Sequence, residues 1–147
     1  MATRHDLVAE ARSWVGTPWG KAGAMKGHHT NCFGYLVCCF QALNLKPLVK
    51  AARPYACRAM PEDQTALRDL LDRHLEIANR YSVQVGNLIL ISSFGWQRHL
   101  ALITEAGVNG SGDVKIIHCT QYDGVKEHQV RTHWTVGRVY RVPGLDP

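Results

Sequence analysis

Residues 31–44 read NCFGYLVCCFQALN, and between Asn31 and Asn44 only Gln41 is strongly polar. A helix through this stretch is apolar on nearly every face, which predicts a rod buried in the middle of the molecule. Cys32 then falls in its first turn. There the backbone N–H groups lack intrahelical partners and the helix dipole is positive, so the thiol is expected to be pushed toward thiolate, the nucleophilic form. Gly34, close by, permits another segment to approach the cysteine. The fold is therefore read as built around a central helix, with Cys32 as its candidate nucleophile.

Upstream, Thr3 followed by Asp6 is a short relative of the Ser/Thr-x-x-Glu capping box. Leu7, Val8, Ala11, Trp14 and Val15 then repeat with helical period, which predicts a first amphipathic helix ended at Gly16. Residues 16–30, GTPWGKAGAMKGHHT, hold four glycines and one proline, the chemistry of a loop. Because it runs straight to Cys32, this loop is expected to form one wall of a cleft.

Downstream, the segment 46–60 with Pro47 and Pro54 carries no clear element signal and is read as a lid or a partner-docking surface. Pro61, Glu62 and Asp63 announce a helix whose packed face runs through Leu67, Leu70, Leu71, His74, Leu75 and Ala78, ending near Asn79. From Val83 the period changes to strands: VQVGNLILI, LALIT, VKIIHC, VKEHQV and VGRVYRV, separated by turn residues. Helices first and strands after predicts an α+β fold with an antiparallel meander of about five strands.

The 147 residues fit one domain spanning 1–147. With 46% hydrophobic and 20% charged residues the composition is that of an ordinary globular protein. The longest aliphatic run of the second half, LILI at 88–91, is far short of the ~20 residues a membrane helix needs. The start has no apolar core of the kind a secretory signal requires, so synthesis and folding in a cytoplasm are expected. Five cysteines without regular spacing argue for free thiols. The net charge of +5 comes from scattered lysines and arginines. That distribution suits an anionic partner surface better than sequence-specific nucleic-acid reading.

Two histidines stand out in the strands. If Ile103 pairs with Val114 across the intervening loop, the same register pairs His99 with His118. A thiolate, an imidazole that takes and returns its proton, and a third polar group that orients the imidazole make up papain-like chemistry. Cys32, His99 and His118 supply the three. Cys38, Cys39, Cys57 and Cys119 are read as core residues, His74 as part of a packed helix face, and His28, His29, His128 and His133 as solvated. A zinc site from His28, His29, Cys32 and the His99/His118 pair is the competing reading. The Cys-x-x-Cys or His-x-x-x-His spacing usual in structural zinc sites is missing around Cys32. Residues 16–23, GTPWGKAG, also lack the Walker spacing.

Five motifs in order resemble the NlpC/p60 family of cell-wall cysteine peptidases, particularly its phage-encoded and tail-associated branch. ARSWVGTPWGKAG is similar to the family's first helix and Gly-x-Pro-Tyr loop, NCFGYLV to Asp-Cys-Ser/Ala-Gly-hydrophobic, and VGNLILI to its Gly-Asp strand. HLALI resembles the strand of the catalytic histidine, and IIHC with GVKEHQV the strand of the third residue and its partner. The resemblance implies a papain-like α+β fold with no cofactor and no metal. Cys32 would be the nucleophile, His99 the base and His118 the orienting residue, acting on amide bonds of peptidoglycan stem peptides. It also implies phage tail or tail-tip proteins as partners and incorporation into a phage or phage-like particle. Trp19, Asn31 and Phe33 stand at family positions near the substrate, where the family has Tyr, Asp and a small residue. Asn87 replaces a further Asp. These departures imply altered specificity, or a structural or wall-binding tail-tip subunit that keeps the fold without the activity.

Overall fold

The computed structural model describes residues 1–56, 65–93, 96–107, 114–130 and 136–147. Its helices are α1 (Arg4–Arg12), α2 (Gly34–Ala42), α3 (Lys46–Ala56) and α4 (Thr65–His74). Its strands are β1 (Ala24–Met25), β2 (His29–Thr30), β3 (Glu76–Ile77), β4 (Leu88–Ser93), β5 (Trp96–Ala106), β6 (Val114–Thr120), β7 (Gly124–Val130) and β8 (Val136–Arg141). Helices precede the main sheet in the chain and pack on it, an α+β architecture.

Both halves of the predicted capping box form at α1: Thr3 Oγ1 accepts from Asp6 N–H at 3.1 Å, and Asp6 Oδ2 accepts from Thr3 N–H at 2.8 Å. Gly16 follows the helix in the left-handed region, with φ 94°. The apolar stretch forms α2, buried through Tyr35, Leu36, Val37, Cys39 and Phe40. Its first helical residue is Gly34, with Phe33 as N-cap, so Cys32 lies in the turn before the helix and not in its first turn as predicted. The segment left unassigned is α3, which carries Pro54 inside it. Its Lys46, Val49, Lys50 and Arg53 line a groove with Gln41 and Asn44, at the end of α2 remote from Cys32.

The helix predicted to reach Asn79 stops at His74, because Glu76 and Ile77 pair with Arg141 and Tyr140 as an edge strand. Its predicted start at Pro61 to Asp63 lies outside the described residues, as do Cys57 and His133. The main sheet has six strands in the order β3-β8-β4-β5-β6-β7, every neighbouring pair antiparallel. The meander therefore holds only from β4 to β7; β8 crosses back to pair with β4. Residues 83–87 precede the strand and form a turn, with Asn87 Oδ1 accepting from Gln84 N–H at 2.8 Å.

Strand alternation divides the core in two. Leu88, Leu90, Leu100, Leu102, Ile117, Cys119 and Val125 join the helices in the main cluster. Ile89, Ile91, Ala101, Ile103, Ile116, Val130 and Val139 make a second cluster on the other face. Tyr35 Oη donates to Ile117 O at 3.2 Å, tying α2 to β6. The Arg12 fork on Glu127, at 3.1 and 3.0 Å, ties α1 to β7.

Candidate active site

The loop from Gly16 to Thr30 is more ordered than its composition predicts. β1 and β2 form a small hairpin, and the chain before it is laced to it by Gly20 N–H to Thr30 O at 2.9 Å and Thr30 N–H to Pro18 O at 3.0 Å. Its far end docks on β7: Gly16 N–H donates to Val125 O and Val125 N–H to Thr17 O, both at 2.9 Å. Trp19 bridges to Thr30 and remains 37% exposed, so of the three residues expected near substrate it alone presents a surface.

Asn31 and Phe33 have other work. They are 2% and 1% exposed, so neither side chain meets a bound peptide in this arrangement. Asn31 Oδ1 accepts from Phe33 N–H at 3.1 Å and Gly34 N–H at 2.6 Å, filling the place of a helix N-cap. Asn31 thus positions the turn that carries Cys32. Gly34 is where the hairpin closes on the helix, as its place in the sequence suggested. A Cβ there would stand 2.7 Å from Gly23 O and 3.0 Å from Ala24 Cβ.

Cys32 is 9% exposed. The backbone N–H of Leu100, the peptide joining His99 to Leu100, donates to its sulfur, as does its own N–H; burial outweighs both and pushes the thiol up to about 11. This is opposite to the expected shift toward thiolate. Desolvation of a sulfur closed into the core disfavours the thiolate more than the two N–H groups favour it, while the N–H groups of Phe33 and Gly34 are directed at Asn31 Oδ1. Cys119 lies nearby, its Sγ donating to Thr30 O at 3.3 Å, and burial pushes it up to about 12. Cys39 is core as predicted, and Cys38 is half-buried.

His99 and His118 meet. His99 Nε2 and His118 Nδ1 are 2.5 Å apart, with ring centroids at 4.7 Å and planes near perpendicular at 80°. The predicted register was off by two residues. Ile103 pairs with Ile116 and Leu102 with Ile117, which carried onward sets Ala101 opposite His118. A slip of two keeps every side chain on its face, so the histidines became diagonal neighbours and stayed in reach. On the other side of β5 a bulge follows the Ile91–His99 pair, a device that re-aims side chains beside functional sites.

A third imidazole, which the sequence predicts to be solvated, joins the pair. His128 is half-buried, and its Nε2 lies 2.6 Å from His118 Nε2. β6 and β7 pair His118 with Lys126 and Ile116 with His128, which puts His128 diagonal to His118 on the same face. The alternation of GVKEHQV after a tight turn carries this signal. His28 is exposed as predicted, while His29 is half-buried, its Cβ beneath Gly20. Burial lowers His99 to about 4 and His118 to about 3, the latter helped by His99, His128 and Lys126. At neutral pH His99 and His118 are therefore uncharged rings, each able to donate at one nitrogen and accept at the other.

The chain matches no known protein-family model, and no curated protein is similar to it.

Proposed function

We propose that this protein is a cysteine peptidase of the NlpC/p60 kind, with a papain-like arrangement, that hydrolyses amide bonds of peptidoglycan stem peptides. The observation that carries the reading is the 2.5 Å bond from His99 to His118 beside a cysteine that meets the His99–Leu100 peptide ahead of a buried helix. Three residues distant in sequence converge in the roles of nucleophile, base and orienting group.

In this mechanism the Cys32 sulfur attacks the scissile carbonyl carbon while its proton passes to His99. Since His99 Nε2 is held by His118, the accepting nitrogen is Nδ1. As the sulfur bonds to carbon, the Cys32 N–H that donated to it turns to the oxyanion. The C–N bond then breaks, the leaving amine takes the proton from His99, and a thioester remains. Water attacks the thioester, gives its proton to His99, and the sulfur recovers it as the acid departs. With the thiol held up and the imidazole held down, proton transfer accompanies attack and no resting ion pair precedes it. Stem peptides carry carboxylates, which suit the basic chain, and Trp19 offers an exposed flat side chain on the wall of the site.

The physiological setting that fits is a phage or phage-like tail, where the domain would open the wall locally beside tail-tip proteins. A second reading, a structural or wall-binding tail-tip subunit, is favoured by one observation: the raised thiol in a nearly closed site. Digestion of purified muropeptides by wild type and Cys32→Ala separates them. New amine and carboxyl termini from wild type alone are expected. Equal product from both removes Cys32 as nucleophile, and product from neither across varied walls leaves the structural subunit.

A further inference from the structure

His128 has no place in the three-residue scheme, yet its contacts decide where every proton of the site resides. Its Nδ1 lies 3.1 Å from the carbonyl oxygen of Gln129. A carbonyl has only lone pairs to offer, so Nδ1 carries the proton of a neutral His128, and Nε2 carries a lone pair. That lone pair faces His118 Nε2 at 2.6 Å, so His118 is protonated at Nε2 and accepts at Nδ1. His118 Nδ1 in turn faces His99 Nε2 at 2.5 Å, so His99 is protonated at Nε2 and its Nδ1 is left with the lone pair. One backbone oxygen thus fixes three tautomers in sequence.

We propose that His128, anchored on the carbonyl of Gln129, is a positioning residue that sets the tautomers of His118 and His99 and makes Nδ1 of His99 the proton acceptor of the site. The use of that lone pair on a thiol rests on the peptidase reading; the tautomers themselves do not.

The surroundings oppose a second proton on His118. Lys126, directly opposite His118, repels a proton from it, and His99 and His128 do the same when charged. Asp123 acts in the other direction and is paired with Lys126 at 2.7 Å. A doubly protonated His118 would donate at both nitrogens and force the reversed tautomer on His99, placing a proton where the base must accept one.

The test uses the full chain labelled with [15N]histidine, with long-range proton–nitrogen correlations at pH 7. The expected pattern is a protonated Nε2 on His99 and His118 and a protonated Nδ1 on His128. In His128→Leu, His118 loses the acceptor that His128 Nε2 provides and the His99 and His118 tautomers become mixed. In His128→Gln, whose side-chain carbonyl accepts from His118, the wild-type pattern returns. Muropeptide turnover should follow, with kcat about tenfold lower in His128→Leu, KM within about twofold, and recovery in His128→Gln, the lower end of the scale known for hydrogen-bond partners behind metal-bound histidines. A protonated Nδ1 on His118 in wild type overturns the proposal, as do unchanged tautomers in folded His128→Leu. If His128→Leu does not fold, the wild-type spectrum decides alone. A wild type with the expected tautomers that cuts no muropeptide refutes the peptidase reading and leaves the proton order standing.

Discussion

Acidification should destabilise this fold by an amount that the histidine row sets. In the native state His99 is lowered by burial from its ordinary 6.5 to about 4. Above pH 6.5 both native and unfolded chains hold this ring neutral, and it contributes nothing to the pH dependence. As pH falls from 6.5, the unfolded chain binds a proton that the native site refuses, so stability falls until pH reaches about 4 and then levels. The difference of about 2.5 pH units corresponds to about 3 kcal/mol. His118 is lowered further, to about 3, so it acts in the same direction, and the figure of about 3 kcal/mol is that of His99 alone. Against a typical domain stability of about 5–15 kcal/mol this is a large fraction. For a chain of this size it lowers Tm by about 6–12 °C. Thermal unfolding followed by circular dichroism at pH 7, 6, 5 and 4 measures it. The double variant His99→Gln/His118→Gln serves as reference, because carboxylates titrating in the same range are common to both proteins. Equal slopes of Tm against pH in the two would refute the reasoning, since the acid sensitivity would then come from elsewhere.

Four further outcomes follow from the site. Asn31→Ala removes the acceptor of two buried N–H groups and should cost about 1–2 kcal/mol in urea unfolding, whereas Asn31→Asp should keep the cap. Alkylation should separate the same pair of variants, because the added carboxylate of Asn31→Asp raises the Cys32 thiol further and slows its reaction. Gly34→Ala places a methyl 2.7 Å from the backbone oxygen of Gly23 and should cost about 1–3 kcal/mol; a midpoint equal to wild type would show that the hairpin does not seal the turn. Iodoacetamide should modify Cys32 about a hundredfold more slowly at pH 7 than a thiol of ordinary 9.0, with a rate that climbs through pH 10; a plateau below pH 8 would show a preformed thiolate.

Much of this arrangement is legible in the chain because the signals are local. The Thr3/Asp6 box, the apolar run after Asn31 and the strand periods each depend on neighbours a few residues away, and each forms close to where it was read. The convergence of His99 and His118 survived a wrong register because strand faces repeat every two residues, and a slip of two conserves the face. The return of β8 to pair with β4 and the stop of α4 at His74 were not legible, since both depend on which edge remains open once the sheet has assembled.

The sequence by itself placed a cysteine at the start of a buried helix and two histidines, His99 and His118, on neighbouring strands. Only the tertiary structure decided the chemistry those residues are prepared for. The Cys32 thiol is set by how deeply the surrounding segments bury it, and the row of His99, His118 and His128 by which strands pair and in what register. Charge state and tautomer are set by distance and desolvation between segments far apart in the chain, and no local pattern of residues encodes those distances.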